Sequence, residues 1–125
     1  MRSTLAFYNE FGAALQFPYY FGENANAFDE CIKDLDWLNA PGYVLIIHDA
    51  DQLMVDSTNP DEQTQSFLGI LESAGKHWST PVDRGAAWDR PSRPFHVVLQ
   101  TDNDKAEMFR LRLKRLGLNF SELSL

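Results

Sequence analysis

Residues 17–38 read FPYYFGENANAFDECIKDLDWL, and this stretch contains the two signals that decide how the chain folds. Residues 17–22 place four aromatic side chains around Pro18 and end at Gly22, where we expect a sharp turn or a close approach of the backbone. Apolar residues then recur at spacings of three and four, which predicts a helix over residues 25–38 with Asn24 as its N-cap. The predicted buried face comprises Phe28, Cys31, Ile32, Leu35 and Leu38.

A second face of this predicted helix is polar, because Asn26, Asp29, Glu30 and Lys33 also follow helical spacing. Exposed aromatic residues beside a row of carboxylates would form a recognition surface. The alternative is an ordinary solvated helix next to a loop whose aromatic side chains are buried. The pattern alone favours the solvated helix, since charged helix faces usually have that explanation.

The charge of the chain is strongly uneven. The 125 residues have a net charge of −7. Residues 1–62 contain 11 Asp and Glu against 2 Lys and Arg, whereas residues 63–125 contain 7 against 9. An acidic first half opposes non-specific nucleic-acid binding through that half and suits a basic partner, although acidity can also serve only solubility.

The composition predicts one globular domain over residues 1–125 that needs no disulfide, because it contains a single cysteine. No apolar run approaches the roughly 20 residues of a membrane helix, and the N-terminal segment does not have the pattern of a signal peptide. We therefore expect a cytoplasmic protein without a membrane partner, monomeric when free.

The other elements alternate between helix and strand. Residues 4–15 predict a helix capped by Thr4, and a later helix begins with Asn59 as cap and Pro60 at its first position. Residues 43–48 and 95–100 are continuous apolar runs, typical of parallel strands covered on both faces. The buried stripes predicted for the two helices are Leu5, Tyr8, Phe11 and Leu15, then Phe67, Leu71, Ala74 and Trp78.

Residues 79–94 form a long irregular segment, which is either a functional loop that closes on a partner or a mobile surface loop tied down by Trp88. A final helix follows the second strand. Asp102 or Asp104 is the predicted cap of that helix, and Gly117 lies just beyond its end. This order predicts an α/β fold with a short parallel sheet packed against helices and an added C-terminal helix. The predicted inner face of the last helix comprises Phe109, Leu113 and Leu116.

Signals for catalysis or metal binding are weak. His48, Asp49 and Asp51 follow a predicted strand, a favoured place for sites in parallel sheets, but they lack a paired ligand spacing. His96 is expected as a hydrogen-bonded core residue and Cys31 as an inert buried thiol. No nucleotide-binding, hydrolase or zinc motif occurs, so the sequence predicts no enzyme, metal or cofactor.

Four basic residues close the last helix: Arg110, Arg112, Lys114 and Arg115. Cations in that position suit the helix dipole. They could also bind a nucleic acid or phosphate, although without interleaved aromatic residues that is a weak footprint and nucleic acid is not the expected partner.

The segment FPYYFGENANAFDEC resembles the barstar family of ribonuclease inhibitors. The similarity lies in a Phe-Pro pair, an aromatic pair, the order aromatic-Gly-x-Asn and a helix that reaches Glu30-Cys31-Ile32. It continues with lower specificity through Leu35, Leu38, the first strand, the helix around Leu71 and the second strand, and so covers roughly residues 4–99.

The resemblance implies a small α/β protein whose loop and following helix plug the active site of a basic ribonuclease toxin. Carboxylates of the inhibitor then occupy the places of RNA phosphates, and the inhibitor protects the cytosol of the producing cell. By position, the family's binding aromatic corresponds to Tyr20, its loop glycine to Gly22, and its two helix carboxylates to Asn26 and Glu30. The implied partner-binding residues are Tyr20, Gly22, Asn26, Asp29, Glu30 and Lys33.

The chain departs from the family at several of these positions. Asn26 replaces a carboxylate, Glu30 is longer than the family's Asp, and Asp29 is expected to restore the lost charge at a shifted position. Glu72 lies one residue from a further acidic contact. Residues 118–125 could replace the family's N-terminal strand, which this chain lacks. The alternative function is a domain of this fold reused for nucleic-acid or phosphate binding through the basic C-terminal helix.

Overall fold

A computed structural model describes residues 1–123 of the chain. Their helices and strands follow in the order α1 (Thr4–Ala14), α2 (Ala25–Asp34), β1 (Tyr43–Ile47), α3 (Pro60–Ser79), β2 (Phe95–Leu99) and α4 (Ala106–Arg115). Strands β1 and β2 pair in parallel, with Tyr43 opposite Phe95 and Ile47 opposite Leu99. The predicted α/β fold, with a short parallel sheet and a further C-terminal helix, is confirmed.

The core centres on a cluster of aromatic rings. Phe7 of α1 is fully buried and stacks on Phe11 with ring centroids 4.5 Å apart. The same ring lies 5.2 Å from Phe28 of α2 and 4.3 Å from Phe67 of α3. Burying one such side chain contributes roughly 2–3 kcal/mol to the free energy of unfolding. The contacts of Phe7 therefore stabilise the packing of α1, α2 and α3 together.

The start and the buried face of α1 differ from the prediction. The Oγ atom of Ser3, not Thr4, caps the helix by accepting a 3.2 Å hydrogen bond from the amide of Ala6. Tyr8, Phe11 and Leu15 are buried as predicted, but Leu5 is exposed and Phe7 takes its place. The reason is that Leu5 lies roughly 100° around the helix axis from the centre of the buried face.

Helix α2 is one turn shorter than predicted. Leu35 adopts a left-handed conformation with φ of 45°, and its amide donates to the carbonyl of Cys31, which closes the helix at Asp34. Leu35 remains buried, whereas Leu38 lies in the following turn and is half-buried. The apolar spacing continues to Leu38, beyond the end of α2, so periodicity alone could not locate the C-terminus of the helix.

The sheet is covered on one face only, so the expectation of two covered faces is wrong. Val44 is 63% exposed and Ile46 is 56% exposed, whereas Tyr43, Ile47 and Phe95 are buried on the opposite face. His96 also lies on the open face and is exposed, so it is not a core residue. A continuous apolar sequence therefore does not establish that both faces of a strand are covered by other elements.

Helix α3 has the predicted buried stripe and begins at Pro60, but the side chain of Asn59 makes no capping bond. A 3-10 turn, Asn103–Lys105, precedes α4, and Asp102 makes no side-chain cap there. Gly117 ends α4 with φ of 72°, as predicted. Residues 118–123 form no strand, and the last two residues of the proposed replacement strand lie outside the described residues.

Candidate protein-interaction surface

The aromatic loop, residues 17–22, divides its side chains between the core and the solvent. Phe17 and Phe21 pack against each other with centroids 5.0 Å apart, and Phe21 also contacts Tyr8 of α1 at 5.8 Å. Tyr20 is 67% exposed, and Tyr19 is fully exposed beside it. The two phenylalanines therefore anchor the loop, and the two tyrosines are available to a partner.

Gly22 and Asn24 join the loop to α2. The Nδ2 atom of Asn24 donates to the carbonyl of Gly22 at 3.1 Å, and its Oδ1 atom accepts from the amide of Ala27 at 2.9 Å. A Cβ atom on Gly22 would lie 2.9 Å from that Nδ2 atom, which confirms the expected close approach. The sharp turn itself falls on Glu23, which has a positive φ of 48°.

The outward face of α2 contains the predicted polar residues. Asn26 and Glu30 are exposed. Asp29 forms an ion pair with Lys33 at 2.8 Å, an i,i+4 contact within the helix. The charge of Asp29 is thus balanced inside the protein, whereas that of Glu30 is not paired with any cation of the described residues.

Unpaired carboxylates extend beyond the predicted set. Within residues 1–123, four exposed carboxylates in and around α2 make no ion pair, namely Glu23, Glu30, Asp34 and Asp36. Sequence reasoning missed Tyr19, Glu23, Asp34 and Asp36 as surface residues. The i,i+4 spacing of Glu30 and Asp34 was the available signal, because it places both carboxylates on one side of the helix.

The opposite face of α2 fixes this surface to the core. Phe28 and Ile32 are fully buried, and the indole Nε1 of Trp78 donates to the carbonyl of Ile32 at 3.0 Å. Burial raises the pKa of the Cys31 thiol, and the charges of Asp34 and Glu30 raise it further. The thiol therefore stays protonated near neutral pH, which agrees with the predicted inert role.

The weak catalytic candidates are engaged with different partners. The Nδ1 atom of His48 contacts the Oε1 atom of Gln100. Asp51 accepts a 2.8 Å hydrogen bond from Thr101, and its pKa is lowered mainly by the hydrogen bond from Gln52. Across residues 1–123, no three His, Cys, Asp or Glu side chains are grouped closely enough to hold a metal ion.

The basic cluster of α4 is largely neutralised by contacts within the protein. Arg112 is only 14% exposed and donates to Asp61 at 3.1 Å, to Thr64 at 2.9 Å and to the carbonyl of Leu53 at 3.1 Å. Arg115 pairs with the same Asp61 at 2.7 Å, and Arg110 pairs with Glu122. These contacts tie α4 to α3 and leave little free charge for a nucleic acid.

Glu72 does not join the acidic surface. It pairs with Lys76 at 3.8 Å and lines a groove of about 1250 Å³ beside β2, on the side of α3 away from α2. Glu72, one residue from the family's further acidic contact, is thus engaged within α3 itself. The acidic surface is built from α2 and the segments that flank it.

A protein-family model described as Barstar (barnase inhibitor) matches residues 1–100. The match includes the aromatic loop, α2 and both strands, and it ends before α4. No curated protein and no solved structure matches the chain.

Proposed function

The chain belongs to the barstar family, and we propose that it is an inhibitor that binds a basic ribonuclease toxin and covers its active site. The proposed contact surface combines the aromatic loop with the outward face of α2. Its residues are Tyr20, Gly22, Asn26, Asp29, Glu30 and Lys33, together with the neighbouring Tyr19, Glu23, Asp34 and Asp36.

The observation that carries this proposal is the group of unpaired carboxylates beside exposed tyrosines. Glu23, Glu30, Asp34 and Asp36 lie within fourteen consecutive positions of the chain and lack ion pairs among the described residues. An active site that binds RNA phosphates must carry cations, and the same cations attract carboxylates. Complementary charge of this kind raises association rates and selects the partner.

Tyr19 and Tyr20 supply the apolar part of the contact. Tyrosine side chains bury a large area with few rotatable bonds, which makes them efficient anchors at protein interfaces. Their rings are 5.7 Å apart in an edge-to-face arrangement, so they present one continuous aromatic patch. We infer that this patch sits at the mouth of the enzyme's cleft while the carboxylates reach its cations.

The frame that holds the surface favours tight binding. Phe17, Phe21 and Asn24 fix the loop before any partner arrives, so less conformational entropy is lost on association. Inhibition in this proposal requires no chemical step by the inhibitor. It consists of occlusion, because the bound surface excludes RNA from the active site.

None of the helices formed by residues 1–123 combines the length and apolarity needed to cross a membrane. We propose that the protein acts in the cytoplasm, where it would protect the producing cell from a ribonuclease made for export. The alternative nucleic-acid function has less support, since three of the four basic residues in α4 are paired with Asp61 or Glu122.

The test is inhibition of RNA cleavage by purified barnase, titrated with the wild-type protein and with Glu30→Gln. The control is Glu107→Gln, which removes an exposed carboxylate from α4. We expect wild type and the control to inhibit at a one-to-one ratio, with a markedly higher concentration needed for Glu30→Gln. Full RNA cleavage in the presence of excess wild-type protein would refute the proposal.

A further inference from the structure

The segment between α3 and β2 forms a hydrogen-bonded loop, whereas the sequence alone left open a functional loop or a mobile one tied down by Trp88. Val82 and Arg90 pair in an antiparallel bridge with two hydrogen bonds of 2.9 Å. The carboxylate of Asp89 accepts from the amides of Arg84, Gly85 and Ala86 at 3.0, 2.7 and 3.1 Å. We call residues 82–90 the Trp88 loop.

Arg90 attaches this loop to the end of α3. Its guanidinium lies over the indole of Trp78, 4.4 Å from the ring centroid. It also donates to the carbonyls of His77 and Thr80 at 3.2 and 3.3 Å, at the end of α3 where helix carbonyls have few backbone partners. The base of the loop is thus anchored to a buried tryptophan, and its tip projects from a fixed position.

Trp88 is 72% exposed at the tip of this anchored loop. Leaving an indole in water forgoes the free energy of burying a large apolar surface. The hydrogen bonds that close the loop come from Asp89 and from the Val82–Arg90 bridge, and none of them involves the Trp88 side chain. The exposed ring is therefore unexplained by the folding of the isolated chain, and tryptophan is enriched among the residues that dominate binding energy at interfaces.

The cations of the protein that lack a carboxylate partner are concentrated in the same region. Among residues 1–123, Lys and Arg side chains without an ion pair are Arg84, Arg90, Arg93 and Lys114. Three of these four belong to the Trp88 loop or follow it directly, and Arg93 lies 6.0 Å from the Trp78 ring. Asp83 and Asp89 lie in the same segment, so residues 82–93 have a net charge of +1, in contrast to the acidic surface of α2.

The Trp88 loop adjoins that acidic surface. The indole of Trp78 donates to the carbonyl of Ile32 in α2 at 3.0 Å, and Arg90 of the loop donates to the carbonyl of the preceding residue of α3, His77, at 3.2 Å. Helical spacing places Asp29 and Lys33 on the border of the α2 face that is nearest to α3. A partner that covers α2 and extends past this border therefore meets the Trp88 loop next.

We propose that the Trp88 loop is a second arm of the partner-binding surface, with Trp88 seated in a pocket of the partner and Arg84 and Arg93 facing carboxylates beside it. This proposal rests on the proposed inhibitor function and adds to it a requirement on the partner. The ribonuclease must carry an acidic rim next to its cationic cleft. A basic protein without that rim is repelled by Arg84 and Arg93, so the loop also contributes specificity.

The test uses barnase that carries an inactivating active-site substitution. This enzyme is titrated in a calorimeter with the wild-type protein, with Trp88→Ala and with Met108→Ala. Met108 is an equally exposed apolar residue on α4 and serves as the control. We expect Trp88→Ala to raise the dissociation constant by about tenfold or more, and Met108→Ala to leave it unchanged. Because Trp88 is exposed, the urea midpoint of Trp88→Ala should match that of wild type.

The outcomes separate the two proposals. Binding by wild type with an equal dissociation constant for Trp88→Ala overturns the second arm and leaves the inhibitor function standing. Absence of wild-type binding overturns the inhibitor function and the second arm with it. Arg84→Glu should weaken binding and Arg84→Gln less so; tighter binding by Arg84→Glu would show that the opposing rim is basic and would overturn the assignment of carboxylates to it.

Discussion

The side chain of Asn24 bonds at the same time to the carbonyl of Gly22 and to the amide of Ala27, at 3.1 and 2.9 Å. A single residue therefore ends the aromatic loop and starts α2. The consequence is that Tyr20 and Glu30, on separate elements, keep a fixed relative position. The residue order aromatic-Gly-x-Asn has a physical basis here, since glycine leaves room for the asparagine that bonds to it.

Replacing Asn24 should therefore lower the stability of the protein. Asn24→Ala removes both bonds and should lower the free energy of unfolding by about 1 kcal/mol, as measured by urea denaturation. Asn24→Asp keeps an acceptor for the amide of Ala27 but cannot donate to Gly22, so its stability should stay closer to that of wild type. An Asn24→Ala protein as stable as wild type would show that the cap contributes nothing.

Glycine substitutions should have opposite effects at different sites. Gly22→Ala places a Cβ atom 2.9 Å from Asn24 Nδ2, so the bond to the loop must break and stability should fall. Gly12→Ala meets Phe21 at an ordinary 3.8 Å, and Gly69→Ala meets no atom within 4 Å. Both of these helical substitutions should raise the free energy of unfolding, by up to about 1 kcal/mol each. Thermal or urea unfolding of the three variants would reveal any departure from this order.

The sequence was sufficient for features that depend on local chemistry or strong periodicity. The Asn24 cap, the Pro60 start of α3, the Gly117 end of α4 and the parallel pairing of the two apolar runs were all predicted. Features set by tertiary packing were not. The open face of the sheet at Val44 and Ile46, and the choice of Phe7 over Leu5, depend on which elements come together in space.

The acidic surface shows the same division. Helical spacing placed Asn26, Asp29, Glu30 and Lys33 on one face, but the burial of Phe17 and Phe21 and the exposure of Tyr19 and Tyr20 required the folded structure. The basic residues of α4 formed a cluster in sequence only. Arg112 proved to be a partly buried structural residue because Asp61 and Thr64, about fifty positions away, lie next to it.

Arg112 should accordingly be a structural residue. Arg112→Met removes the donors to Leu53, Asp61 and Thr64 and should lower the free energy of unfolding by about 2–3 kcal/mol. Lys114→Met, an exposed neighbour on α4, is the matched control and should leave stability within about 0.5 kcal/mol of wild type. Equal urea midpoints for the two variants would contradict the assigned role of Arg112.

Stability should also fall on mild acidification through His77. Partial burial lowers the pKa of His77, and the nearby cations Arg90 and Lys33 lower it further. The unfolded chain therefore binds a proton at a higher pH than the folded chain, so stability is complete above the unfolded pKa of about 6.5 and is lost as pH falls below it. Urea midpoints of wild type at pH 7.5 and 5.5 should differ, and His77→Gln should reduce that difference.

The carboxylates act in a lower pH range and do not obscure this effect. Hydrogen bonds from Arg112 and Arg115 lower the pKa of Asp61, and the amides of the Trp88 loop lower that of Asp89. Their contributions are present above about pH 4 and are lost only as pH falls further. A difference between pH 7.5 and 5.5 that is the same in His77→Gln would therefore show that His77 is not its source.

The proposed ribonuclease-binding surface is tested most directly by the dissociation constant of the complex with inactive barnase. The constant is measured for wild type and for Glu30→Gln, at low and at physiological salt concentration. Screening acts over about 8 Å at physiological ionic strength, so an interface that depends on carboxylates should weaken as salt rises. We predict a one-to-one complex that is salt-sensitive, and Glu30→Gln should bind at least about tenfold more weakly with a smaller salt effect. Equal binding of the two proteins at both salt concentrations would contradict the assignment of the acidic face of α2 as the ribonuclease-binding surface.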